Sequence, residues 1–256
     1  MKLLATLAAA TTLATPAGYV QAQQREDGGF GDAQLSAWAT LGLVAAGADT
    51  GGAAAYLARQ QPASATDRAL LAMARAAAGD PPDDLLPALR AHHPGKRVNA
   101  TIWTILALRQ AGEPAPLALV QALRRAQRPS GGWSWLAGGA ADANDTAAAI
   151  QALRAAGVTG PPIDRGVAFL RRHQNRDGGF ELALARGSDT QSTAWAIQAL
   201  LAAGRTPGAA AYRYLAKMRR ADGSYRYSAR HVTTPLWVTA QVLPALARKP
   251  FPLSRT

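Results

Sequence analysis

The sequence predicts an all-α fold, an (α/α)6 toroid in which six antiparallel helical hairpins close into a ring. Three observations predict this fold: a composition that favours helix, a glycine that ends successive alanine-rich segments, and a glycine turn that recurs between segments. Alanine, leucine and arginine dominate, while β-branched and aromatic residues are few, so the summed propensity favours helix. A chain of 256 residues with 48% hydrophobic residues can bury one sizeable core.

The first helix of each hairpin is predicted from the glycine that follows it. These glycines are Gly47, Gly79, Gly112, Gly157 and Gly204. Glycine is typical of a helix C-cap because it adopts the left-handed conformation without a steric penalty. Nine residues before them, in the same order, stand Trp38, Leu70, Trp103, Ala148 and Trp195, so the segments align without a gap. Six first helices are predicted, starting near Ser36, Thr66, Asn99, Asp145, Ser192 and Thr234.

The second helix of each hairpin follows soon after. Proline comes after four of the glycines, at positions 81, 114, 161 and 207, and proline is favoured in the first turn of a helix. The second helices are predicted over 53–60, 84–92, 117–125, 164–172 and 209–218, and a sixth segment ends at Gln24. The last first-type helix is as apolar as the middle ones, which favours closure of the ring, because an open array would end in polar caps.

A glycine turn leads from a second helix to the next first helix. It reads Gln-x-x-Asp-Gly-Gly-Phe at 24–30 and 174–180 and Gln-x-x-Ser-Gly-Gly-Trp at 127–133, with a degenerate copy at 219–225. The glycines permit a positive φ, and the Asp or Ser caps the turn. The aromatic residue is expected to pack between neighbouring hairpins.

The N-terminus is typical of a secretory signal. Met1-Lys2 precedes the apolar run 3–13 and the small residues 14–17, and the run is too short to span a membrane. We therefore expect a signal peptide over 1–17, one toroid domain over 18–256, and a secreted or cell-envelope location. The alternative is that these residues form the first helix of the ring.

Charge and composition narrow the classes of partner and cofactor. The 28 Lys and Arg residues against 16 Asp and Glu give a net charge of +12, which favours anionic partners such as an anionic envelope polymer. The arginines are spread along the chain and form no nucleic-acid motif, so nucleic acid is not expected. Cysteine is absent, which excludes thiolate catalysis and sulfur-ligated zinc, and no metal or other cofactor is expected.

The glycine turn and the segment Thr193-Ala194-Trp195-Ala196-Ile197-Gln198-Ala199-Leu200 resemble the repeats of the terpenoid cyclase and protein prenyltransferase superfamily. The resemblance covers roughly residues 19–246. It implies inner and outer rings of six helices around a central cavity that holds an isoprenoid in the enzymes. The prenyltransferases use a zinc ion held by Asp, Cys and His, and without cysteine that site is missing.

The segment 142–147, Asp-Ala-Asn-Asp-Thr-Ala, is similar to the Asp-x-Asp-Asp-Thr-Ala motif of squalene-hopene cyclases, which protonates the substrate through its middle Asp. Here Asn144 occupies the middle position, and an amide cannot act as a general acid, so Asp142 or Asp145 would have to serve. The alternative is helix capping, because the same polar pattern recurs before other first helices, at Asp32 and Asp189.

Aromatic and amide side chains on the first helices are the candidate ligand-binding residues. Trp38, Trp103, Trp195 and Trp237 lie near the starts of four of these helices and would stand at similar height in a ring. They are expected either to bind an apolar ligand at the cavity or to pack between helices. Gln151 and Gln198 occupy matching positions and would either line the cavity or bond to neighbouring segments.

These features favour an exported, non-catalytic module that binds an apolar or amphiphilic ligand, such as an isoprenoid or other lipid, or an envelope partner. The alternative is a terpene cyclase-like enzyme that acts on an isoprenoid. A carbohydrate-active toroid with paired carboxylates is a third class, although no spacing singles out a pair.

Overall fold

The computed structural model describes residues 14–253, and this part of the chain forms twelve helices that alternate between two rings. The inner ring consists of α2 (Ala33–Ala46), α4 (Ala65–Ala77), α6 (Val98–Gln110), α8 (Ala143–Ala155), α10 (Thr190–Ala202) and α12 (Pro235–Leu246). The outer ring consists of α1 (Pro16–Gln21), α3 (Ala53–Ala58), α5 (Leu86–Arg90), α7 (Leu117–Arg125), α9 (Pro161–Arg172) and α11 (Ala209–Met218). The predicted (α/α)6 toroid is confirmed.

The inner ring is closed by α12, which packs against α2 as well as α10. At this seam a Cβ added to Gly42 would lie 2.5 Å from the carbonyl oxygen of Ala240, so only glycine lets the two helices approach so closely. The inner helices are apolar on most of their surface because they are covered by the outer ring on one side and by one another in the centre.

The glycine turns join the two rings through a repeated set of hydrogen bonds. The glutamine that opens each turn donates from Nε2 to a glycine carbonyl of the same turn, at 2.9, 2.7 and 3.1 Å for Gln24, Gln127 and Gln174. The backbone N–H of the turn's aromatic residue then donates to a hydroxyl on the following inner helix. The pairs are Phe30–Ser36, Trp133–Thr146, Phe180–Thr193 and Tyr225–Thr239.

One further segment closes the far end of the ring. After α12 the chain crosses the end at which the inner helices finish. The backbone N–H of Phe251 donates to Gln151 Oε1 at 2.8 Å, and Gln110 exchanges two hydrogen bonds with the backbone of Leu253. Both Phe251 and Leu253 are buried. This segment after α12 therefore covers one end of the central space between the inner helices.

The predicted signal peptide, residues 1–17, lies mostly outside the described residues. Its last residues, Pro16 and Ala17, begin α1, which packs against α2 and α12. Between residues 14 and 253, none of the helices has the combination of length and apolar composition that a membrane span requires.

Candidate functional site

The other end of the ring opens into a central cavity of about 600 Å³. Its walls come from the first two turns of the inner helices, which contribute side chains in two layers. The upper layer consists of Gln34, Thr66, Asn99, Asn144, Gln191 and Trp237, and the lower layer of Trp38, Leu70, Trp103, Ala148, Trp195 and Gln241. Each lower residue stands four positions after the upper residue of its helix, and this spacing places both on the same face.

The lower layer forms an aromatic floor. Trp38, Trp103 and Trp195 come from alternate inner helices and pack edge to face, with ring centroids 5.3, 5.6 and 5.7 Å apart. Trp237 contacts Trp38 from above at 6.2 Å, and Phe251 contacts Trp38 and Trp195 at 6.3 and 5.9 Å. Such pairs contribute about 0.5–1.5 kcal/mol each beyond area burial. The tryptophans therefore pack on one another and line the cavity at the same time.

Gln241 fixes part of this floor and was not singled out from the sequence. Its Oε1 accepts hydrogen bonds from Trp195 Nε1 at 2.9 Å and from Gln191 Nε2 at 2.8 Å. Alignment of the inner helices places Gln241 where three other helices carry tryptophan, while Trp237 stands one turn earlier. In the last repeat the tryptophan and the glutamine have exchanged positions. This exchange is the sequence signal from which Gln241 could have been identified.

Two carboxyl groups lie at the start of α8 beside the cavity. Asp142 is the N-cap of α8, and its Oδ1 accepts the backbone N–H of Asp145 at 2.8 Å. Asp145 is buried, and its Oδ1 accepts a hydrogen bond from Asn99 Nδ2 at 2.9 Å. Burial, followed by the nearby charge and carboxyl group of Asp145, raises the pKa of Asp142 to about 8. This shift favours the protonated form of Asp142.

The remaining polar groups surround this pair. Asn144, in the middle of the motif, lines the cavity, and its Oδ1 has no hydrogen-bond partner within residues 14–253. Asp67 on α4 adds a third carboxyl group and accepts a hydrogen bond from Ser64 Oγ at 2.8 Å. Arg97 lines the cavity from the start of α6 and is exposed. The cavity thus combines an aromatic floor with a polar wall.

The structure brings together six of the eight candidate residues: the four tryptophans, Asp142 and Asp145 all line this cavity. Gln151 and Gln198 do not line it. Gln151 accepts the backbone N–H of Phe251, and Gln198 Nε2 lies 3.3 and 3.4 Å from the carbonyl oxygens of Ala194 and Gln241. Both amides therefore bind neighbouring segments of the ring instead of facing the open cavity.

Within the described residues, no three His, Asp or Glu side chains are grouped in a way that could hold a metal ion.

The chain is similar to one known protein family and to several solved structures. The profile of the squalene-hopene cyclase C-terminal domain matches residues 91–253. A variant of the type II terpene cyclase MstE from Scytonema, in complex with its substrate geranylgeranyl dihydroxybenzoate, is similar in structure, with a TM-score of 0.68 and 16% identity over 91% of this chain and 95% of that chain. No curated protein sequence matches significantly.

Two other solved structures share the fold. The ent-copalyl diphosphate synthase from Streptomyces platensis has a TM-score of 0.59 and 20% identity over 84% of this chain and 50% of its own. A glycosidase variant has a TM-score of 0.64 and 14% identity over 91% of this chain and 94% of its own. These similarities concern the fold alone, because one fold hosts different chemistries.

Proposed function

Because the chain belongs to the family of the squalene-hopene cyclase C-terminal domain, we propose that it binds an isoprenoid chain in the central cavity and protonates a carbon–carbon double bond through Asp142. The observation that carries this proposal is a carboxyl group that lines the cavity beside a second carboxyl group and an aromatic floor. A general acid must hold its proton at the working pH and must reach the reacting atom. Asp142 meets the first condition through burial and its neighbour Asp145, and it lines the cavity.

The proposed reaction is an isomerisation that begins with proton transfer from Asp142 to the substrate. The O–H bond of Asp142 breaks as its proton forms a C–H bond to one alkene carbon, which leaves a carbocation and the Asp142 carboxylate. A second double bond attacks the cation and closes a ring. The final cation loses a proton to solvent water, and Asp142 regains a proton from solvent, so the product is an isomer of the substrate. The indole faces of the floor stabilise the intermediate cations, as aromatic rings do for other cations.

The groups around Asp142 support this role. Its Oδ1 is held by the backbone N–H of Asp145, which leaves the other oxygen to carry the proton. Asn99 donates to Asp145 and so holds the second carboxyl in place. The apolar floor keeps water away from a cation, and water would otherwise trap it as an alcohol.

The experiment is an incubation of the purified full chain with linear polyprenyl alcohols of increasing length, run in heavy water and analysed by mass spectrometry. We expect cyclic isomers that carry one deuterium from solvent. Asp142→Asn should abolish them. Asp189→Asn is the matched control, because Asp189 caps α10 by accepting the backbone N–H of Ser192 at 2.7 Å and does not line the cavity. Equal loss in both variants, or turnover that survives Asp142→Asn, would contradict the assignment.

A second candidate function is binding without turnover, and Asn144 favours it. The residue occupies the position at which the similar motif has its acid, and its amide cannot donate a proton to an alkene. Retention of an intact polyprenyl alcohol by the wild-type chain, without any isomer, would identify a binding module for amphiphilic ligands. The same incubation therefore separates the two functions.

We also propose that the chain is exported, on the basis of the charged, apolar and small-residue order of residues 1–17. Mass measurement of the protein recovered from its native cells and their medium tests this proposal. An exported chain would lack the N-terminal segment, whereas a full-length chain found inside the cells would exclude export.

A further inference from the structure

A separate pocket lies on the outer ring, between α7 and the first turns of α9. Its volume is about 280 Å³, and it is lined by Gln121, Arg124, Arg125, Pro162 and Arg165. None of these residues lines the central cavity. Because three of its five residues are arginines, we call it the arginine pocket.

No carboxylate neutralises the positive charge of the arginine pocket. The ion pairs formed between residues 14 and 253 include none of its three arginines. Asp164, the acid next to Arg165 in the sequence, pairs with Arg205 at 2.9 Å instead. Three like charges around one concave surface repel one another and attract an anion, and an anion that enters the pocket relieves the repulsion.

The next hairpin carries equivalent arginines, and there they make structural contacts. Arg124 and Arg125 stand three and two positions before the glutamine that opens a glycine turn, and so do Arg171 and Arg172. Arg171 and Arg172 donate hydrogen bonds to backbone carbonyl oxygens of neighbouring segments, whereas Arg124 and Arg125 make no such bond within residues 14–253. The guanidinium groups of Arg124 and Arg125 are therefore available to another molecule.

Arg165, the third arginine of the pocket, has no counterpart in the other repeats. The first glycine of each glycine turn packs against one residue at the start of the following outer helix, and in three turns this residue is Gly52, Arg165 or Ala210. The two small residues show that packing requires no long side chain here. A cation near the start of a helix also gains nothing from the helix dipole.

The glycine turn holds Arg165 in position. Gln127 Oε1 accepts a hydrogen bond from the Arg165 guanidinium, while Gln127 Nε2 donates to the carbonyl oxygen of Pro162 at 2.8 Å. This contact orients the guanidinium group and leaves its other N–H groups for a ligand.

We propose that the arginine pocket binds a diphosphate group. Arginine pairs with phosphate oxygens through two parallel N–H···O bonds, and such charge-assisted bonds are stronger than neutral ones. A diphosphate group has terminal oxygens on two phosphorus atoms, so it can pair with all three guanidinium groups at once. Gln121 adds an amide donor. This inference goes beyond the proposed function and does not rest on it, because the arginine pocket and the central cavity share no residue.

The test is isothermal titration calorimetry of the full chain with sodium diphosphate, with orthophosphate and sulfate as comparison anions at the same ionic strength. We expect saturable binding of one diphosphate per chain and weaker binding of the two smaller anions. Arg124→Gln/Arg165→Gln should lower the affinity by at least about tenfold, because two charged hydrogen-bond donors are lost. Arg213→Gln/Lys217→Gln is the matched control, since it removes the same charge from exposed residues of α11 that do not line the pocket.

A lysine variant separates recognition of phosphate from attraction by charge alone. Arg124→Lys/Arg165→Lys keeps the charge but loses the planar guanidinium groups, so its affinity should lie between those of the wild type and the glutamine variant. Four results would overturn the proposal: no saturable binding, equal affinity for diphosphate and sulfate, equal loss in the α11 control, or a lysine variant that binds as tightly as the wild type.

Titration with methyl diphosphate identifies the source of the group. Affinity equal to that for the free ion would support a diphosphate carried by a larger molecule, and binding of the free ion alone would support inorganic diphosphate as the ligand. Turnover of a polyprenyl alcohol reports on Asp142 separately, so diphosphate binding without turnover would contradict the proposed function and leave this inference standing.

Discussion

The carboxyl group of Asp142 accepts a hydrogen bond from the backbone N–H of Asp145, three residues later, and thereby caps the helix whose first turn borders the cavity. Capping and proton donation were alternatives for this residue when only the sequence was considered. In the structure they use different oxygens, because the cap occupies Oδ1 and a proton can reside on the other oxygen. A neutral carboxyl group still accepts a hydrogen bond, so one side chain can perform both roles.

Substitutions of Asp142 are expected to separate these two roles. Asparagine is as good an N-cap as aspartate, so below about pH 4, where Asp142 is largely protonated in both states, Asp142→Asn should leave stability near that of the wild type while it removes the acid. Asp142→Ala removes the cap and should lower the free energy of unfolding by about 1 kcal/mol. Urea denaturation of both variants measures this difference. If the alanine variant is as stable as the asparagine variant, the cap contributes nothing measurable.

The raised pKa of Asp142 predicts how stability depends on pH. In the unfolded chain the group titrates near its ordinary value of 3.8, and in the folded chain near 8. Between these values the folded state binds more protons than the unfolded state, so the free energy of unfolding falls as pH rises from about 4 to 8. Asp142→Asn removes this contribution, and its stability should decline less over the same range.

Urea titrations of the two proteins at a series of pH values test this prediction. Parallel stability curves would contradict the raised pKa. The same shift predicts that turnover by the wild-type chain is lost above about pH 8, where Asp142 loses its proton.

Trp103 in the lower layer and Trp237 in the upper layer are expected to contribute differently to stability and to ligand binding. Trp103 is buried and contacts both Trp38 and Trp195, so Trp103→Ala should cost about 3–5 kcal/mol of stability through the space it leaves. Trp237 is half-buried at the upper layer, so Trp237→Ala should cost less. Because Trp237 faces the open part of the cavity, its loss should weaken binding of a polyprenyl alcohol by about tenfold.

Fluorescence titration with the alcohol measures the affinity of the Trp237 variant, and urea denaturation ranks the two variants in stability. An unchanged affinity of Trp237→Ala would place the ligand elsewhere. Equal destabilisation by both substitutions would mean that Trp237 is as deeply packed as Trp103.

The fold could be predicted because every hairpin repeats the same local signals. The C-cap glycines, the glycine turns and the spacing to Trp38, Trp103 and Trp195 are set by neighbouring residues, and repetition makes them visible. The carboxyl pair at Asp142 and Asp145 could also be singled out from the sequence, since a motif in one short segment contains both, and its role stays a prediction.

The missed features depend on contacts between distant parts of the chain. Gln151 binds a backbone group one hundred residues later, and Gln110 binds one that lies 143 residues later. Neither partner belongs to a repeat, so the aligned hairpins gave no reason to expect it.

Gln151 provides the last prediction, because its position assigns it a structural contact instead of contact with the ligand. Gln151→Leu keeps the volume of the side chain but leaves the buried N–H of Phe251 without an acceptor, which should cost about 1–3 kcal/mol. The affinity for a polyprenyl alcohol should stay within about twofold of the wild type, a change of roughly 0.4 kcal/mol. Gln198→Leu is the comparison variant. The Oε1 of Gln198 has no partner within the described residues and its Nε2 contacts are long, so loss of this amide should cost less stability.

Urea denaturation of the two variants measures their stability, and fluorescence titration measures their affinity for the alcohol. A large loss of affinity in Gln151→Leu at unchanged stability would mean that Gln151 contacts the ligand.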